Sequence, residues 1–194
     1  MARFRASQGG VTARFGAAQA RIVRDLVSQV AELLGADPET EEDRPSADTP
    51  PVPDSPGPSD GQVLEAAFGL TDATEAPRDP VLARLLPDAY RDDPGAAGEF
   101  RRLTEGSLRR DKVSAADRLL ATLPGEGSGE VRLDPELTET WLSTINDVRL
   151  ALGTRLEVTE EMAEPDPEDP DAPAYVVYLW LTELQGVLIE VADG

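Results

Sequence analysis

The chain has no cysteine and no histidine in its 194 residues. Thiolate nucleophiles, imidazole bases, disulfides, iron–sulfur clusters and zinc sites built on nitrogen or sulfur are therefore excluded, and a Ser-His-Asp triad cannot be assembled. No uncharged apolar run approaches the roughly 18 residues that span a bilayer. The N-terminus, Met1-Ala2-Arg3-Phe4-Arg5, lacks the apolar core and cleavage site of a signal peptide. The expectation is a soluble cytoplasmic protein. Its length suits one domain over 1–194, since two cores would each be small.

Charge is abundant, and of one sign. The formal net charge is −20, most of it in two segments. Residues 37–60 hold eight acids, seven prolines and one base, Arg44; residues 157–171 hold eight acids and no base. What remains, about −5, is ordinary for a domain surface. Both segments have too few large apolar residues to offset the entropy of ordering them. They read as disordered, mobile acidic loops that keep the chain solvated.

Between them the pattern is regular. Gln8-Gly9-Gly10 supplies a tight turn between Phe4 and Phe15, with arginines alternating alongside, which predicts a β-hairpin with Arg3, Arg5 and Arg14 on one exposed face. Ile22, Leu26, Val30 and Leu33 recur at helical spacing from Ala17 to Leu34, closed by Gly35. Val63, Leu64, Ala67 and Phe68 make a short helix ending near Gly69. Asp79-Pro80 and Asp93-Pro94 each open a helix. Glu130-Val131-Arg132-Leu133 reads as a short strand joining the hairpin. Asp134-Pro135 starts a helix with the stripe Trp141, Leu142, Ile145, Val148 and Leu152, ended by Gly153. From Pro173 to Val191 the pattern predicts a central core helix covered nearly all round, with Tyr175, Tyr178 and Trp180 in the core.

The predicted fold is thus mainly α (α+β): a helical bundle of five to seven helices, a small N-terminal hairpin joined by a third short strand, and two acidic loops.

Candidate chemistry is sparse. The helix opened at Asp93 carries Phe100, Leu103 and Leu108 on one side, and Arg101, Arg102, Arg109, Arg110 and Lys112 crowd the region that follows. With Val113 to Leu123 after it, the pair has the proportions of a helix-turn-helix, but nine bases between Arg78 and Arg118 face eight acids, so the electrostatic footprint of a DNA binder is missing. Gly125-Glu126-Gly127-Ser128-Gly129 lacks the ending of a phosphate loop. Catalytic carboxylates need rigid placement, and the acids here cluster in proline-rich loops. Asp147 and Arg149 form a charged pair in an apolar segment, read as structural. No catalytic residue, cofactor or metal site is expected; the chain reads as a non-enzyme.

The blocks Arg3-Phe4-Arg5, Ala13-Arg14-Phe15, Asp79 to Tyr90, Glu99 to Thr104, Trp141-Leu142, Asn146-Asp147 and Arg149 to Leu156 resemble the actinobacterial family of AosR-like oxidative-stress regulators, long classed as a domain of unknown function. The resemblance spares only the two acidic loops, and arginine in place of lysine suits a high-GC actinobacterial genome. It implies a cytoplasmic transcriptional regulator acting by contact with an alternative sigma factor or RNA polymerase on genes of cysteine synthesis. Alternatives are an adaptor linked to ClpS-dependent proteolysis, for which the family's gene neighbourhood argues, and a direct DNA-binding helix-turn-helix regulator. Redox-sensing members use a cysteine pair near the N-terminus; Arg3 to Gly10 contains none, so a thiol switch cannot operate here. The expected partner surface is basic: Arg3, Arg5, Arg14, Arg101, Arg102, Arg109 and Arg110.

Overall fold

A computed structural model of the chain describes residues 3–7, 9–35, 74–90, 92–125, 127–159 and 168–193. Strands β1 (Arg3–Ser7) and β2 (Gly10–Phe15) form the expected hairpin, and β3 (Gly129–Leu133) pairs antiparallel with β2, giving the order β1-β2-β3. Gly10 has φ 151°, and a Cβ there would meet the Leu133 carbonyl oxygen at 2.0 Å, so only glycine lets β3 approach the turn. Alternation does the rest: Val11, Ala13 and Phe15 with Val131 and Leu133 face inward, while the arginines face water.

Five helices are described: α1 (Ala17–Gly35), α2 (Pro80–Leu85), α3 (Pro94–Thr122), α4 (Pro135–Arg155) and α5 (Ala172–Asp193). Their starts follow the sequence signals. Asp79, Asp93 and Asp134 each accept a backbone N–H of the first turn, and proline follows each as the first helical residue. At α1 the Gln19 side chain accepts the N–H of Gly16 at 3.0 Å instead.

The central helix is α4. It touches β2, β3, α1, α2, α3 and α5. Trp141 and Ile145 are wholly buried; the Trp141 ring lies 5.5 Å from that of Phe15, which meets Phe4 edge-on at 6.1 Å. The Trp141 Nε1–H donates to Thr122 Oγ1 at 3.0 Å, so the one polar atom of the ring is satisfied.

Several sequence expectations are corrected. The segment expected as two helices with a turn is a single 29-residue helix, α3, which removes the helix-turn-helix reading. Good helix formers and opposite charges four apart carry it through Gly106, whose cost of about 1 kcal/mol is too small to break it. Gly153 does not end α4. The helix runs to Arg155, and Tyr178 packs on Gly153, where a Cβ would lie 3.1 Å from its ring. The stop is made by Glu157 at φ 51°, with Val158 N–H donating to Gly153 O (2.9 Å) and Glu157 N–H to Thr154 O (3.3 Å).

Helix α5 is not covered all round. Tyr175, Leu181, Leu184 and Leu188 pack inward, but Val176, Leu179 and Ile189 are exposed, and Tyr178 and Trp180 are half-buried. By length and composition α5 is also the one described helix able to span a membrane. The acidic loop at 37–60 and the short helix near Val63–Phe68 lie outside the described residues, as do residues 160–167 of the second loop.

Candidate functional site

Helix α3 is built inside out over its first half. Its buried residues there are Ala97, Gly98, Arg101, Glu105 and Gly106, while Phe100, Leu103 and Leu108 keep 44%, 51% and 37% of their surface. Small residues on the inner side permit close approach: a Cβ on Gly98 would sit 2.7 Å from the Thr74 carbonyl oxygen. The apolar spacing seen in the sequence is thus displayed to solvent, opposite to the usual amphipathic arrangement.

What is buried instead is a ladder of alternating charge. Arg101 pairs with Asp88 through Nη2 and with Glu105 through Nη1 at 3.0 Å; Glu105 accepts from Arg109 Nε at 2.9 Å; Arg109 Nη1 donates to the Leu34 carbonyl oxygen at 3.2 Å. The ladder ties the Leu86–Tyr90 turn to α3 and α3 to the C-terminal end of α1, where a guanidinium also meets the negative end of the helix dipole. Arg101 is 5% exposed and Glu105 4%, so each relies on protein partners more than on water to satisfy its charge. The Arg101 Nε–H is buried without a partner.

Above the ladder lies a shallow cleft of about 60 Å³, open to solvent, between the turn after α2 and α3. Leu86, Pro87, Ala89, Phe100 and Leu108 line it, with Arg101 and Glu105 at its floor. Tyr90, 50% exposed, stacks edge-on against Phe100 at 6.0 Å. Two of the stretches that carry the family resemblance, Asp79 to Tyr90 and Glu99 to Thr104, meet at this cleft. Exposed aromatic and aliphatic groups thus surround a floor held by paired charges.

The expected basic surface is redistributed. Arg101 and Arg109 are not part of any surface face: they turn inward to Glu105. Arg102 is half-buried and Arg110 exposed on α3. Arg3, Arg5 and Arg14 stand exposed on the outer face of the sheet, and the register adds a fourth, Arg132, which the sequence reading left out. Its signal was present in the alternation of Glu130-Val131-Arg132-Leu133. Glu105 was likewise readable, since Arg101, Glu105 and Arg109 sit four apart with alternating sign.

Asp147 pairs with Lys112 (2.7 and 2.8 Å), not with Arg149, clamping α4 to α3. Burial raises its carboxyl above the ordinary value, opposed by the hydrogen bond and charge of Lys112. Arg149 donates instead to Asn146 Oδ1 at 3.3 Å. Among the described residues no three acidic side chains gather as a metal site.

Fold and surfaces together define a mainly helical domain with a small antiparallel sheet, an open apolar cleft and a basic sheet face. The family model described as Domain of unknown function (DUF2017) matches residues 1–192. The chain is 39% identical over 156 residues to the oxidative stress regulator AosR of Mycobacterium tuberculosis and to that of Mycobacterium bovis, covering 73% of this chain and 70% of each of those proteins. No solved structure matches it. The chain belongs to the DUF2017 family.

Proposed function

We propose that this chain is a non-enzymatic regulator of the oxidative stress response that works by binding another protein, with an alternative sigma factor or RNA polymerase as its partner. The observation that carries this reading is the 39% identity, over 73% of the chain, to proteins named oxidative stress regulator AosR. The exposed apolar surface of α3 supports it: Phe100 and Leu108 line the cleft over a floor held by paired charges, Tyr90 stacks on Phe100, and Leu103 is exposed on the same helix, a setting in which aromatic residues anchor a partner. With no cysteine in these residues, thiol oxidation is not the trigger.

The test is affinity purification of the tagged protein from its host, with and without peroxide, alongside the double variant Phe100→Ser/Leu103→Ser. Co-elution of a sigma factor or polymerase subunits with the native chain, lost in the variant, is the expected result. Recovery of protease subunits in their place would move the chain to the adaptor class. An empty eluate from both would overturn the reading.

A further inference from the structure

The sheet concentrates positive charge on a chain that is otherwise acidic. The registers Arg3↔Arg14 and Arg5↔Thr12, continued as Arg14↔Glu130 and Thr12↔Arg132, put Arg3, Arg5, Arg14 and Arg132 on the same side of the sheet. All four are exposed, and the Arg132 side chain keeps 86% of its surface in water. Arg3 directly faces Arg14, and like charges opposed across a strand pair destabilise it. Glu130, 3.8 Å from Arg132 and half exposed, is the single acid on the three strands. A bound anionic group would relieve this repulsion.

The second observation is the edge. Among the described residues β1 pairs with β2 alone, so alternate residues of β1 turn their N–H and C=O away from the sheet. No proline interrupts it. Between the two arginines, Phe4 faces inward, half-buried against Phe15, and α5 packs beneath β1.

We propose that an extended acidic segment of a partner protein adds to β1 as a fourth strand. Two carboxylates, two residues apart, then stand opposite Arg3 and Arg5, and the residue between them is apolar and lies beside Phe4. The match is metric, because residues two apart on any strand are about 6.8 Å apart, the same interval that separates Arg3 from Arg5. Backbone pairing with the edge supplies affinity, and the alternating pattern supplies specificity. Arg14 and Arg132 extend the positive field that steers the segment in. A nucleic acid fits less well: it cannot complete a β edge, and the chain's −20 charge repels polyphosphate. This inference rests on reading the chain as a protein-binding module, at a surface separate from the cleft.

The test uses the whole chain, two fluorescent decapeptides of one composition and an oligonucleotide of equal charge, read by anisotropy. One peptide alternates glutamate and valine; the other carries its glutamates in a block. The alternating peptide is expected to bind more tightly than the block peptide. Arg3→Glu/Arg5→Glu should weaken it about tenfold or more, Arg132→Glu less, and the peptide should slow amide exchange in β1. If circular dichroism shows the reversed variant unfolded, Arg3→Gln/Arg5→Gln takes its place. Equal binding of the two peptides, indifference to the arginine changes, or tighter binding of the oligonucleotide would overturn the proposal. Sigma-factor capture without peptide binding sinks this site and leaves the proposed function standing; peptide binding with an empty capture does the reverse.

Discussion

The sheet–α4 region and the first half of α3 solve the same problem with opposite chemistry. Around α4 the interior is apolar and aromatic, with Phe15, Val23, Val27, Trp141 and Ile145 almost fully enclosed. Under the first half of α3 it is small and ionic, with Gly98, Arg101, Glu105 and Gly106 inside and Phe100 and Leu103 outside. Burial of a large apolar side chain contributes about 1.5–3 kcal/mol each, whereas a buried ion pair roughly breaks even against its desolvation. The first region holds the fold. The second spends hydrophobic residues on the surface, which stabilises nothing in the free chain and makes sense if a partner covers them.

That contrast can be broken at several points. The largest effect belongs to the apolar side: Trp141→Ala should lose about 4 kcal/mol of unfolding free energy in urea titration, from a cavity beneath the sheet and the loss of the hydrogen bond that the Trp141 ring donates to the Thr122 hydroxyl. Next is the ladder. Glu105→Ala leaves Arg101 and Arg109 without their shared carboxylate and should lose about 3 kcal/mol by the same titration. If instead it is neutral, water reaches the ladder and the two regions differ less than their burial implies.

Asp147 gives a pH-dependent version. Its folded carboxyl lies above the ordinary value because burial disfavours the charge. The folded state therefore holds that proton more tightly than the unfolded one. This contribution is fully present below the unfolded value and is lost as pH rises through the folded one. Native stability minus that of Asp147→Asn should thus shift in favour of the native chain as pH falls from about 7 to about 4, measured by urea unfolding at each pH. A difference flat with pH would mean that Lys112 cancels the burial.

Smaller effects follow. Glu157→Gly relieves a left-handed residue at the end of α4 and should gain about 1 kcal/mol in thermal unfolding. Phe100→Ser/Leu103→Ser should change stability by no more than about 0.5 kcal/mol while abolishing partner capture. A large loss of stability there would show that the two side chains serve the fold.

Much was legible along the chain because the signals are local. An aspartate followed by proline starts a helix at Asp79, Asp93 and Asp134 through one side-chain oxygen and one fixed φ, whatever surrounds it. Gly9-Gly10 and the alternation about them made the hairpin, and Glu130 to Leu133 joined it. The site was less legible. Arg101 and Arg102 are neighbours of one type, yet one is buried and the other half-buried, and although Glu105 four residues on marks Arg101 as paired, that spacing does not say that the pair is turned inward. The decision comes from Asp88, thirteen residues away, and from Glu105.

The sequence by itself therefore determined the class, the strands, the helix starts and the absence of thiol and imidazole chemistry, since each depends on composition or on contacts a few residues apart. Only the tertiary structure decided which side of α3 and α5 meets water, that α4 and not α5 is central, and that Arg132 stands with Arg3, Arg5 and Arg14. Those facts depend on which element packs against which, and burial is a property of the assembled layers that no single stretch of chain carries.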